Sequence, residues 1–159
     1  MKETYIFDAL RTPRGKGKPA VDGRGGGSLS GIAPYELVAK LIGGLEERNP
    51  GMSHAVDSLT LGCVGQVKAQ GGHIGLVSRL ASSLSDKVAV NTINNYCISG
   101  LIAVMNAALW SKQSGGRLFL GGGVESLSHV GFLADKADYN LKPDLVAKLQ
   151  WAPPTWGQN

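Results

Sequence analysis

Cysteine, aromatic residues and long apolar runs are all scarce in this chain of 159 residues. Its two cysteines, Cys63 and Cys97, close one disulfide at most, which excludes a disulfide-stapled secreted scaffold. The segment from Met1 to Asp8 lacks the charged-then-apolar pattern of an export signal. The expectation is therefore a cytoplasmic chain with free thiols. No apolar run approaches the ~18–20 residues that cross a bilayer, so no membrane span is expected. No Cys-x-x-Cys cluster occurs, and a site built from Cys63, His73 and Cys97 lacks a fourth ligand, so no metal is expected. Acidic residues are nearly absent from positions 11–24, where Arg11, Arg14, Lys16, Lys18 and Arg24 face only Asp22. That segment carries the whole net charge of +4. It has no aromatic residue to interleave with its cations, so it reads as a solvated loop and not as a nucleic-acid surface.

A hydrophobic fraction of 43% and 23 glycines are what the chain does have. The first is enough for a packed core, and the length suits one domain or part of one. The glycine share is about twice the usual one and asks for tight turns or close backbone approach. Thr4 to Phe7 is β-rich and reads as a strand, followed by a loop from Arg11 to Gly31. Pro34 suits a first helical position, and Leu37, Val38, Leu41, Ile42 and Leu45 recur at helical spacing until Asn49-Pro50-Gly51 stops the pattern. Ser58 to Leu61 reads as a strand. Ile74, Val77, Leu80, Ala81 and Leu84 repeat as a helix, and Val88 to Val90 as a strand. From Cys97 to Trp110 nearly every helical face is apolar, which predicts a buried central helix. Leu118 to Leu120 is a further strand, ending in Gly121-Gly122-Gly123. The alternation of strand and helix predicts an α/β layered fold with a mostly parallel sheet and helices on both faces.

Cys97 stands where a strand gives way to that helix. A helix amino end carries unpaired N–H groups and a positive dipole end, which favour a thiolate and would meet an oxyanion on a bound acyl group. Asn94 and Asn95 read as caps or turn formers just upstream. By position alone, a nucleophile and a small buried hydrophobe are both open readings of Cys97. Cys63, after a strand, reads as buried and inert, and His73 as a helix cap. Glu125 reads as a structural hydrogen-bond acceptor or a general base. The glycine run after Leu120 does not match a dinucleotide loop, because Ser126 stands where that spacing needs glycine.

Four stretches resemble the thiolases, the acyl-CoA:acetyl-CoA acyltransferases. Val90-Asn91-Thr92-Ile93-Asn94-Asn95-Tyr96-Cys97-Ile98-Ser99-Gly100-Leu101 resembles their nucleophilic-cysteine segment. Phe7 to Pro13 resembles the opening strand and loop, and Leu61 to Val64 the end of the second strand. Gly121 to Ser128 resembles the Gly-Gly-Val/Met-Glu-Ser-Met-Ser signature. The resemblance implies a thiolase-like layered α-β-α-β-α fold, of which this chain is an incomplete first half. Residues 1–123 would form a partial N-terminal α/β domain, with four strands of five. Residues 124–159 would begin a loop and CoA-binding insertion, inside which the chain stops.

The resemblance further implies that Cys97 attacks a CoA thioester and forms an acyl-enzyme, serving thiolytic cleavage of a 3-ketoacyl-CoA or Claisen condensation of acetyl-CoA. CoA is then part of the substrate and no separate cofactor is needed. In the family a histidine in a Gly-His-Pro motif activates the nucleophile, a second cysteine in a Cys-x-Gly motif moves the α-carbon proton, and another histidine, in an Asn-Glu-Ala-Phe type motif, helps form the other oxyanion hole. His54, His73 and His129 sit in other contexts and do not inherit those roles. Full turnover therefore calls for a remainder of the molecule. Expected partners are acyl-CoA or CoA, and either further copies of the chain or a chain carrying the second half. The rival readings are an inert thiolase-like fragment used in binding or assembly, and a condensing enzyme of the ketoacyl synthase type. The Gly-Gly-Val-Glu-Ser run favours thiolase over the latter.

Overall fold

A computed structural model describes residues 3–21, 24–115 and 117–130 of the chain. The elements run β1 (Gly17–Val21), β2 (Arg24–Gly27), α1 (Pro34–Arg48), α2 (Met52–Ala55), β3 (Val56–Gly62), α3 (Ile74–Leu80), β4 (Ala89–Ile93), α4 (Ser99–Ser114) and β5 (Leu118–Gly123). β3, β4 and β5 form a parallel sheet in the order β4-β3-β5. The chain moves to one side of β3 to lay down β4, then crosses β3 to lay down β5. Right-handed connections running in opposite directions place their helices on opposite faces, and the side chains of β3 show this division. Leu59, Leu61 and Cys63 join Val38 and Ile42 of α1 and Ile74 of α3 in the main core. The alternate positions face α4, and a Cβ built on Gly62 would lie 2.4 Å from the Ser99 carbonyl carbon. The α/β expectation holds.

α1 begins and ends where its sequence signals stand. Pro34 occupies the first turn, and the Glu36 carboxylate accepts the Ala33 N–H at 2.9 Å, satisfying one of the donors left over at a helix start. Its buried face is Pro34, Leu37, Val38 and Ile42. Asn49 closes it, and its amide also donates to Asp8 at 2.7 Å, while Arg48 pairs with Asp8 at 2.7 Å. The opening segment is thereby tied to the end of α1.

Four expectations about the elements need correction. Thr4 to Phe7 is not a strand. Its backbone joins no ladder with the described residues, and Tyr5, Ile6 and Phe7 are exposed. The sheet accordingly has three strands, not four. The glycine-rich loop contains an antiparallel hairpin, β1–β2, anchored by the Ser128 hydroxyl on the Gly26 carbonyl at 3.0 Å. In α3 the inward positions are Ile74, Gly75 and Ser78, whereas Val77 and Leu80 face outward.

Finally, α4 is not a buried central helix. Only Ser99, Ala103 and Ala107 are buried, on the face against β3 and β5. Ile98, Leu101, Met105 and Leu109 are exposed by half or more of their surface, or within a percent of it. The small residues let the helix lie close on the sheet, where Gly121 leaves no room for a Cβ beside the Ala103 carbonyl. The large residues lie on the opposite side, beyond the single sheet face that covers this helix. The segment proposed as the insertion, 124–159, is described only to Val130, and its remainder lies outside the described residues.

Candidate active site

Ligands of open α/β sheets bind beyond the carboxyl ends of the strands. Three loops leave that end here, Cys63 to Gln66 after β3, Asn94 to Ile98 after β4, and Val124 to Ser126 after β5. They are joined edge to edge by the Ile93 carbonyl accepting Cys63 N–H and the Gly62 carbonyl accepting Val124 N–H, each at 3.0 Å.

The loop after β4 carries Cys97, which is exposed and a free thiol. It lies two residues before α4, whose N-cap is Ile98. The preceding residue, Tyr96, has φ +49. A left-handed non-glycine conformation costs roughly 1–2 kcal/mol and persists only where neighbours enforce it. Asn94 Oδ1 accepts the Tyr96 N–H at 3.0 Å. Ser99 Oγ accepts the Asn95 N–H at 2.8 Å and donates to the Tyr96 carbonyl at 2.6 Å. The turn is held from both sides, and Cys97 is delivered just ahead of the amino end of a helix.

The loop after β3 is organised by a carboxylate from a distant part of the chain. Glu125 accepts from Val64 N–H at 2.7 Å, from Gly65 N–H at 3.3 Å and from the Gln70 amide at 2.7 Å. Gln70 is fully buried, donates also to the Gly65 carbonyl at 2.9 Å and accepts the Ser126 N–H at 2.5 Å. Glu125 thus spends its acceptor capacity on structure, and the general-base reading falls away. Nothing in the local sequence marks Gln70. Its partners lie 5, 55 and 56 residues away, where no local pattern reaches.

Cys63 is buried, and its thiol is pushed up to about 12 by that burial and by the Glu125 carboxylate 3.9 Å away. Although Cys63-Val64-Gly65 spells Cys-x-Gly, such a thiol stays protonated at neutral pH. Nor do the histidines approach a catalytic arrangement. His54 is exposed on α2, and His129 Nδ1 lies 2.8 Å from Ser126 Oγ. His73 caps α3 as expected, its Nδ1 accepting the Leu76 N–H at 3.1 Å. Among the described residues no group of His, Cys, Asp and Glu is placed to hold a metal. No helix among them is long and apolar enough to cross a membrane.

An exposed cysteine between a parallel strand and a helix defines a class, the α/β proteins that carry a candidate nucleophile at a strand–helix junction. The comparisons with known proteins narrow it. The family described as thiolase, N-terminal domain, matches residues 4–146, and the chain belongs to it. The chain is 36% identical over 138 residues to a beta-ketoadipyl-CoA thiolase of Escherichia coli, covering 86% of this chain and 32% of that protein. It is 33% identical over 131 residues to a 3-ketoacyl-CoA thiolase of Pseudoalteromonas atlantica, with 82% and 32% covered. The crystal structure of the Bacillus anthracis acetyl-CoA acetyltransferase superposes with a TM-score of 0.59 at 29% identity, covering 65% of this chain and 26% of that one. The chain spans about a third of the length of these curated relatives.

Proposed function

We propose that Cys97 is the nucleophile of an acyl transfer between CoA thioesters. The observation that carries this is its place. It is exposed, at the amino end of α4 and the carboxyl end of a parallel sheet, within the stretch matched to the thiolase family. The Cys97 sulfur attacks the thioester carbonyl, a new carbon–sulfur bond forms, and the bond to CoA breaks. The proton of the Cys97 thiol passes to a base, and CoA leaves as its thiol after taking that proton back or one from solvent. The acyl group then passes to the α-carbon of a second acetyl-CoA, or the sequence runs in the opposite direction and cleaves a 3-ketoacyl-CoA. The Cys97 N–H contributes to the oxyanion hole. Base and proton-transfer groups come from the rest of a full-length molecule, so the 159 residues alone are expected to take an acyl group without full turnover.

A second reading, a fragment that works by binding or assembly, draws on the open apolar side of α4 and on exposed Tyr5, Ile6 and Phe7. One experiment separates the two readings. The chain is incubated with acetyl-CoA and its intact mass measured. An acetyl adduct that disappears in Cys97→Ala and persists in Cys63→Ala supports acyl transfer. An adduct that survives Cys97→Ala overturns the assignment, and no adduct at all in the native chain favours assembly.

A further inference from the structure

Beyond the Cys63 N–H on the Ile93 carbonyl, one side chain ties the loop after β4 to the loop after β3. Asn94 Oδ1 accepts the Tyr96 N–H at 3.0 Å, and Asn94 Nδ2 donates to the Val64 carbonyl at 3.0 Å. Val64 is itself held, since its N–H rests on Glu125 Oε2 at 2.7 Å. A single carboxamide therefore does two things. It stabilises the left-handed conformation of Tyr96, immediately before Cys97, and it ties the Cys97 turn to a loop anchored by Glu125 and, behind it, the buried Gln70. Ser99 secures the other side of the turn but makes no bond to the β3 loop among its recorded partners.

From this we infer that Asn94 is a positioning residue for Cys97, an inference that rests on the reading of Cys97 as the nucleophile. With Asn94 removed, Tyr96 loses one of the bonds that hold its positive φ and is drawn toward the negative φ that its Cβ prefers. That rotation turns the next peptide and moves Cys97 relative to the amino end of α4. Small displacements of this kind are enough to cost large factors in rate. The two halves of the carboxamide are separable. Serine at 94 keeps a short acceptor for the Tyr96 N–H but does not reach Val64. Glycine at 96 adopts positive φ without help, which removes the need for the acceptor.

The test is the rate of iodoacetamide labelling at Cys97 in the 159-residue chain, followed by peptide mapping, with buried Cys63 as an internal report on folding. Asn94→Ala is expected to slow Cys97 about tenfold or more while Cys63 stays protected. Asn94→Ser is expected to recover part of the rate. In a Tyr96→Gly background, Asn94→Ala is expected to change the rate less than about twofold, because glycine needs no enforcement. An Asn94→Ala chain that labels at the native rate with Cys63 protected overturns the inference, as does an effect of full size in the Tyr96→Gly background. Should Asn94→Ala expose Cys63, Asn94→Ser carries the comparison, a smaller slowing supporting the role and an unchanged rate refuting it. A parallel incubation with acetyl-CoA keeps the two ideas apart. If the native chain takes no acyl group while labelling responds as described, acyl transfer by Cys97 falls and its positioning by Asn94 stands.

Discussion

Cys63 and Cys97 follow neighbouring strands of one sheet, Cys63 directly past the end of β3 and Cys97 in the loop after β4, and their surroundings are opposed. Cys63 faces the main core beneath α1 and α3, one percent exposed, with a carboxylate nearby. Both conditions penalise a thiolate, and the thiol is held at about 12. Cys97 follows a strand whose loop turns outward through a left-handed residue and stops at a helix start, open to solvent. Chemical identity is the same in both places. The fold alone buries one thiol and leaves the other open to solvent.

The comparison can be broken most severely at the glycines under α4. A Cβ on Gly62 would sit 2.4 Å from the Ser99 carbonyl carbon and 2.6 Å from the Gly100 nitrogen. Both are backbone atoms, which have no rotamer by which to move aside. Gly62→Ala is expected to cost about 1–3 kcal/mol in urea unfolding. It is also expected to slow Cys97 labelling, because the displaced helix end is the one that serves Cys97. Gly100→Ala is the contrasting change, since a Cβ there meets nothing within 4 Å. Its expected outcome is a native-like or slightly raised urea midpoint, by about 0.5–1 kcal/mol.

Next in size is the removal of the carboxylate that separates the two thiols electrostatically. Glu125→Gln leaves the Val64 and Gln70 donors poorly matched, at about 1–3 kcal/mol. It is expected to lower the Cys63 thiol from about 12, but not to an ordinary value, because burial is the larger cause. Thiolate absorbance during alkaline titration of the Cys97→Ala background reads this directly. The sign for stability follows from the same shift. The folded Cys63 thiol holds its proton more tightly than the unfolded thiol near 9.0. Its contribution is therefore complete below about 9 and lost as pH rises toward about 12. Cys63→Ala is expected to flatten that alkaline loss of stability.

The smallest effect belongs to the opening segment. Asp8 is lowered chiefly by the hydrogen bond from Asn49, with Ala9 N–H and Arg48 adding to it. A lowered carboxyl contributes above its unfolded value and loses that contribution as pH falls through its folded one. Asp8→Asn is expected to shift the acid limb of a pH–stability curve slightly and to leave Cys97 labelling unchanged.

How much of this was legible in the sequence varies with how local each cause is. α1 was legible because Pro34, the apolar spacing and Pro50-Gly51 are all local signals. The positions of β3, β4, β5 and the start of α4 were legible for the same reason, as was Cys97 at the junction. The hairpin from Gly17 to Gly27 was not, since its glycines have no β-propensity and read as loop. Thr4 to Phe7 has that propensity, but a strand needs a partner as well as suitable residues. The apolar surround of α4 was visible, but a pattern of side chains does not state what covers them. The knot of Glu125, Gln70 and Ser126 was out of reach because its bonds join positions about 55 residues apart.

By this contrast the fold, and not the sequence neighbourhood, sets which thiol is accessible. This is tested most directly by labelling both cysteines with iodoacetamide at neutral pH, in the native chain and in concentrated urea. Rapid labelling of Cys97 and protection of Cys63 are expected in the native chain, with the two rates converging in urea. Native rates that already match, or a preference for Cys97 that persists unchanged in urea, would contradict it.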